Sequence, residues 1–135
     1  TGRLRSINRS QWQLSQLEET LADPLTHHSK AFRELKRLIA IRRAQPAFHP
    51  NATQFTLHLG LQLFGFWRQS MRREQSVFCI HNISPEVQQV ALSDINLIGT
   101  DRWVDLISGM EVDDLAGSIT LKPYQSVWLS NQQRR

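Results

Sequence analysis

Apolar residues recur every third or fourth position up to about residue 43 and every second position from Asn51 onward, and this change of period divides the chain. Ser15 to Ala22 reads as two helical turns, with Leu14, Leu17 and Leu21 at helical spacing. Asp23-Pro24 ends that helix, because proline disfavours helical geometry in the residue before it. A longer helix follows from about Thr26 to Arg43. Phe32, Leu35, Leu38, Ile39 and Arg42 line one side, with Arg33, Glu34, Lys36 and Arg37 on the other. Thr26 is placed to cap it, and the basic residues of its last turn suit the helix dipole. Pro46 stops it.

Beyond Asn51, Phe55, Leu57 and Leu59 alternate with polar neighbours as one strand, and Gly60 marks a turn. Leu61 to Arg68 reads as a second strand, Gln75 to Asn82 as a third and Val87 to Leu92 as a fourth. Short strands recur near Trp103-Val104-Asp105, over Gly117 to Leu121 and over Gln125 to Leu129, with turns at Ser108-Gly109 and Lys122-Pro123. This spacing predicts an antiparallel β-sandwich. The fold class is α+β by content, an N-terminal helical segment (residues 1–50) followed by an all-β domain (residues 51–135). Phe55, Leu57, Leu63, Phe64, Phe66, Val77, Phe78, Ile80, Leu92, Ile119, Val127 and Leu129 are expected in its core or on its helix-facing surface.

Composition narrows the possibilities. At 135 residues the chain cannot hold a (β/α)₈ barrel, which takes about 250. Its net charge of +4 is concentrated before residue 50, where arginines and lysines outnumber acids. No nucleic-acid-binding motif accompanies that charge, so a solvated helix face, or one meeting an acidic neighbour, is preferred to a nucleic-acid partner. The single cysteine, Cys79, precludes an internal disulfide and sits in an apolar run, Val77-Phe78-Cys79-Ile80, as an inert core thiol would. No apolar stretch approaches the ~20 residues of a membrane-spanning helix, so no membrane partner is expected.

Candidate chemistry is sparse. His27 and His28 are adjacent, which on a helix turns them about 100° apart, and His49, His58 and His81 lack a carboxylate at ligand spacing, so no metal is expected. There is no nucleophile elbow, P-loop or dinucleotide fingerprint. Retaining glycoside chemistry needs two carboxyl groups about 5–5.5 Å apart. Asp113-Asp114 reads instead as a surface loop, and Asp101 and Asp105 as closing turns around Trp103. No catalytic residue is assigned within the chain. The opening segment Thr1-Gly2-Arg3-Leu4-Arg5-Ser6-Ile7-Asn8-Arg9 begins without methionine and offers three guanidinium forks and an amide, suited to sugars, phosphates or carboxylates. On composition alone it is a frayed basic terminus. A stand-alone carbohydrate-binding module would need exposed aromatics, for which Trp12, Trp103 and Tyr124 are the candidates; a basic nucleic-acid-binding module would rely on the helix.

Five stretches together resemble the sucrose phosphorylase group of the α-amylase superfamily, glycoside hydrolase family 13. They are Arg5 to Arg9; Phe32 with Leu35 to Arg43 and Pro46-Ala47-Phe48; Gly65 to Arg68; Trp103 to Gly109; and Leu121 to Leu129. The resemblance implies that residues 1–50 are the loop and last helix of a catalytic barrel, and residues 51–135 an amylase-type C-terminal sandwich. It implies a cytoplasmic bacterial parent that transfers glucosyl units from an α-glucoside to phosphate with retention, using an Asp nucleophile and a Glu acid/base that both lie upstream, without a cofactor. Arg5 matches the substrate-contacting arginine of that loop, while Asn8 and Arg9 match motif positions. Where the family continues with His and Tyr, this chain has Ser10-Gln11-Trp12, which leaves the acceptor open among sucrose, sucrose phosphate, glucosylglycerate and glucosylglycerol. Arg3 favours glucosylglycerate, because it could pair with a carboxylate. The partners implied are the upstream barrel, the α-glucoside and phosphate. Self-association of the isolated chain through the helix's apolar stripe, or docking of that stripe on the sandwich, is a further expectation.

Overall fold

The computed structural model describes residues 11–95, 97 and 102–132. The chain forms two compact units, Thr1–Ile39 and Ala40–Arg135. In the first, α1 (Leu14–Ala22) is joined by a tight turn to α2 (His27–Arg43), which runs on into the second unit. The turn is made by hydroxyls. Thr26 Oγ1 accepts the Ser29 amide at 3.1 Å, which is the expected cap, and donates to the Thr20 carbonyl at 2.7 Å. The buried Ser29 donates its hydroxyl to the Leu21 carbonyl at 2.8 Å. Two of the carbonyls that α1 leaves unpaired at its end, those of Thr20 and Leu21, are thus satisfied by the start of α2. Arg33 reaches the Pro24 carbonyl at 2.8 Å and closes the hairpin.

The second unit is β-rich. Its strands are β1 (Thr53–Leu57), β2 (Leu63–Gln69), β3 (Ser76–Asn82), β4 (Gln88–Ala91), β5 (Arg102–Asp105), β6 (Ser118–Leu121) and β7 (Ser126–Gln132). A five-stranded antiparallel sheet has the order β1-β2-β3-β7-β5, and β4 pairs with β6 in a second, two-stranded sheet. Gly60 turns the chain between β1 and β2 with φ +96°, a conformation open to glycine and strained for other residues.

Register assigns each side chain to a face. Leu63, Phe78, Ile80, Trp103, Val127 and Leu129 point inward and meet Val90, Leu92 and Leu121 from the region of the small sheet. Across this face the Phe55 ring stacks on Trp67 at 4.7 Å, Trp67 on Phe78 at 5.5 Å, and Phe78 tilts against Trp103 at 5.4 Å. The opposite face carries Val77 and Cys79, flanked by Phe66 and Trp128. It is covered by Ala47 and Phe48 of a short 3-10 turn, Pro46–Phe48.

Two side chains hold that turn down. Gln75 accepts the Ala47 amide at 3.0 Å and donates to Gln45 at 2.7 Å and to Ser130 at 3.0 Å. Arg68 donates to the Ala47 carbonyl at 3.1 Å and the His49 carbonyl at 2.6 Å.

Within this unit the expected core needs two corrections. Phe55 (44% exposed) and Phe64 (53%) stand at the surface, because alternation fixes a residue's face but not whether anything covers it. Trp103, expected to pack at a turn, is 1% exposed and among the largest side chains of the inner core. Within this unit it is the 3-10 turn that lies against β2.

Candidate functional site

Arg3, Arg5 and Asn8, the candidate substrate-site residues, lie outside the described residues, as do Arg9 and Asp101. Asp105 ends β5 with its side chain turned inward, and both its oxygens are occupied. Oδ1 accepts the amides of Trp128 (2.8 Å) and Ile107 (3.1 Å); Oδ2 accepts the Ser108 amide (3.1 Å) and hydroxyl (2.6 Å). This is the turn-closing role expected of it, extended to a second strand through Trp128. Glu111 pairs with Arg102, and Asp114 accepts the Ala116 amide at 2.9 Å. These groups border a cleft of about 370 Å³ with Asp113, Ile119 and Gln125. Three of its four carboxyl groups are thereby tied to a turn or an ion pair, an arrangement that shapes loops.

The histidines are dispersed. His28 meets Trp12 edge-on at 5.2 Å, and His49 Nδ1 accepts the Asn51 amide at 3.1 Å. His81 Nδ1 bonds Ser126 Oγ at 2.7 Å, and burial lowers its pKa below the ordinary histidine value. Among the described residues no three metal-ligating side chains converge. Cys79 is buried, and loss of water pushes its thiol up to about 12, against a weaker pull from Arg68, so it stays protonated and unreactive at neutral pH.

The basic helix uses part of its charge internally: Arg37 forks onto Glu34, holding that carboxyl below its usual pKa, and Arg42 lies 5.8 Å from the Phe48 ring. Of the aromatics a carbohydrate module could use, Trp103 is buried, whereas Trp12 and Tyr124 are exposed. Among the described residues no helix is long and apolar enough to cross a membrane.

Sequence reasoning passed over the polar side chains that organise the β unit. Asn82 is the clearest: its amide donates to the carbonyls of Glu86 (2.6 Å) and Lys122 (2.9 Å), and its oxygen accepts the Ser84 amide (3.0 Å) and hydroxyl (2.8 Å). A polar residue closing the apolar run 77–80 was the available signal. Arg68 was visible only as part of the Gly65-to-Arg68 stretch.

Comparison with known proteins places this fold. No family model matches the sequence. The chain is 33% identical over 125 residues to a glucosylglycerate phosphorylase of Allomeiothermus silvanus, covering 93% of this chain and 20% of that protein. It is likewise 33% identical over 127 residues to a glucosylglycerate phosphorylase of Escherichia coli, covering 93% and 21%. The chain therefore spans about a fifth of the length of the curated relatives it matches, and the match falls in their C-terminal part. Among solved structures, an Anoxybacillus α-amylase superposes with a TM-score of 0.67 at 16% identity over 84% of this chain and 24% of that one. The trehalose-6-phosphate hydrolase of Bacillus licheniformis superposes with a TM-score of 0.62 at 19% identity over 86% and 20%. Over nearly its whole length the chain is thus similar to the C-terminal part of glucosylglycerate phosphorylases, and its fold is that of an amylase-type C-terminal β-domain.

Proposed function

We propose that the chain is the C-terminal portion of a retaining α-glucoside phosphorylase acting on glucosylglycerate, and that its own role is structural and substrate-positioning. The observation that carries this reading is the alignment: 93% of the chain matches glucosylglycerate phosphorylases, yet only a fifth of their length. Residues 1–50 would complete a barrel, and 51–135 form the appended sandwich. The nucleophile and acid/base belong to the upstream part. That placement accords with the carboxyl groups at the cleft, three of whose four are spent on turns and an ion pair.

On this reading Arg5 contacts the glucosyl unit, Asn8 supports its loop, and Arg3 pairs with the glycerate carboxylate. A charge-assisted hydrogen bond of this kind contributes about 1.5–3 kcal/mol. In the full-length enzyme, Arg3→Ala should raise KM for glucosylglycerate by about 10- to 150-fold. It should leave glucosylglycerol, which lacks the carboxylate, nearly unaffected. The isolated chain should release no glucose 1-phosphate from either. Equal effects on both substrates would remove Arg3 from acceptor recognition, and turnover by the isolated chain would overturn the structural role.

A further inference from the structure

Where α2 ends and the 3-10 turn begins, a second cleft of about 370 Å³ opens within the Ala40–Arg135 unit. Arg42, Arg43 and His49 line it with Pro46, Phe48 and Pro50, and among the described residues no carboxyl group joins them. The Arg42 guanidinium lies 5.8 Å from the centre of the Phe48 ring, a contact that steadies its charge without neutralising it. Neither arginine has an ion-pair partner among the described residues, where the pairs are Arg37–Glu34 and Arg102–Glu111. The backbone around the cleft is already satisfied. The amides of Ala44 and Gln45 close the helix end on the carbonyls of Ile41 (3.1 Å) and Arg42 (3.2 Å), and Gln45 Nε2 adds a bond to Ile41 at 3.2 Å. These bonds occupy carbonyls whose partial charge opposes an anion at a helix C-terminus. The amides of Phe48 and His49 fold back on Gln45 and Pro46. His49 Nδ1 accepts the Asn51 amide, so the neutral ring carries its proton on Nε2 as a further donor. Recognition therefore falls to two guanidinium forks and one ring N–H. Glu74 lines a smaller neighbouring cleft of about 140 Å³ that shares Pro46 and His49, but Arg72 lines it too and offsets that charge.

We propose that this cleft binds a small phosphate ester, with Arg42 and Arg43 taking two phosphoryl oxygens and His49 Nε2 a third. The site goes beyond the reading under Proposed function, because its residues all belong to this chain and none is assigned a part in the phosphorylase reaction. Guanidinium forks match the oxygens of a phosphoryl group and hold their charge at any working pH. Small-molecule pockets begin at about 300 Å³, so a bare phosphate would leave most of this cleft empty. Pro46, Phe48 and Pro50 supply an apolar wall for the carbon part of an ester. A polynucleotide fits less well. Along α2, Arg37 is spent on Glu34 and Arg33 on the Pro24 carbonyl, which takes much of the helix's charge away from a run of evenly spaced phosphates.

Titration calorimetry with glucose 6-phosphate, in this chain and in the full-length enzyme, tests the assignment. Arg43→Gln is the probe, since Arg43 is exposed and makes no ion pair among the described residues. Lys36→Gln, which removes one charge from the same helix outside the cleft, is the comparison. Tryptophan emission of the β unit checks that each variant is folded. One ester should bind per chain. Arg43→Gln should weaken it by at least about tenfold, and Lys36→Gln by less than about twofold. Amide shifts in nitrogen-15 spectra should centre on Arg42 to Asn51. Absence of saturable binding by this chain would overturn the site. Equal losses in the two variants would show that net charge holds the anion, with the same consequence. Inorganic phosphate bound as tightly as the ester would remove any role for the carbon part and overturn the ester class. Tighter binding of a random oligonucleotide would assign the surface to nucleic acid and overturn the proposal. Binding by this chain but not by the full-length enzyme would mean that upstream sequence fills the cleft, and would overturn a ligand role while leaving the reading under Proposed function intact.

Discussion

Asp105 and Tyr124 show opposite uses of a single residue. The Asp105 carboxyl, 6% exposed, receives three amides and one hydroxyl, joining the turn after β5 to β7. Removing it leaves those donors without an acceptor in a region with little water. Each unmet buried donor costs about 1–3 kcal/mol, partly relieved by rearrangement. Asp105→Ala should therefore lower unfolding free energy by about 2–4 kcal/mol in urea titrations. A loss below about 0.5 kcal/mol would mean the turn closes without it. Tyr124 is the reverse case. It follows Pro123 in a turn closed by the Gln125 amide on the Lys122 carbonyl at 3.0 Å, at φ 58° and 67% exposed. This is the position where a type II turn favours glycine, and a side chain there costs about 1–2 kcal/mol. Glycine would relieve that strain but add freedom to the unfolded chain, worth about 0.4–1 kcal/mol in the other direction. Tyr124→Gly should leave the protein slightly more stable, with Tm raised by a few degrees. A fall in Tm would show that the ring contributes packing that its exposure conceals.

At the scale of elements, periodicity and turn residues located the architecture well. The helix expected from Thr26 to Arg43 is His27–Arg43 with Thr26 as its cap, and all seven strands lie within a few residues of their expected positions. The reason is local: period, capping chemistry, proline and glycine each act through a few neighbouring bonds. Covering depends on what arrives from elsewhere in the chain. Phe64 and Phe66 were both expected in the core or on the helix-facing surface, yet Phe64 lies open while Phe66 packs beside Phe48, eighteen residues earlier and held by Gln75 and Arg68. Trp103 was misplaced for the same reason. Its four-residue strand reads as little more than a turn until pairing with β7 sets it against Phe78. The expected substrate-contacting residues are legible through family resemblance alone, since two arginines and an asparagine near a terminus fit many roles. The hairpin of α1 and α2 offers a direct check of capping. Thr26→Ala removes both the cap on Ser29 and the bond to Thr20, and should cost about 1–2 kcal/mol. Hydrogen exchange should quicken first at the amides of His28 to Lys30. Unchanged protection there would mean that Ser29 and Arg33 hold the turn without it.

At the scale of the whole molecule, the unusual property is a regular apolar stripe left in water. Phe32, Leu35 and Ile39 of α2 are 52%, 59% and 48% exposed. Fully burying one such side chain is worth about 1.5–3 kcal/mol. Three half-buried ones leave several kcal/mol unrealised, comparable with much of a small domain's stability. In a full-length enzyme the upstream part would take up that stripe. In the isolated chain another copy can bury the same surface, and the helix is too well capped and too strongly patterned to fray in preference. The isolated chain should therefore sediment with an average mass that rises with concentration. Phe32→Lys with Ile39→Lys should return it to monomer. The β unit should be unaffected, because its tryptophans Trp67, Trp103 and Trp128 belong to Ala40–Arg135 and their fluorescence reports on that packing alone. A monomer at every concentration, with amides from Phe32 to Ile39 exchanging freely, would show that the stripe neither pairs nor stays helical without its neighbour.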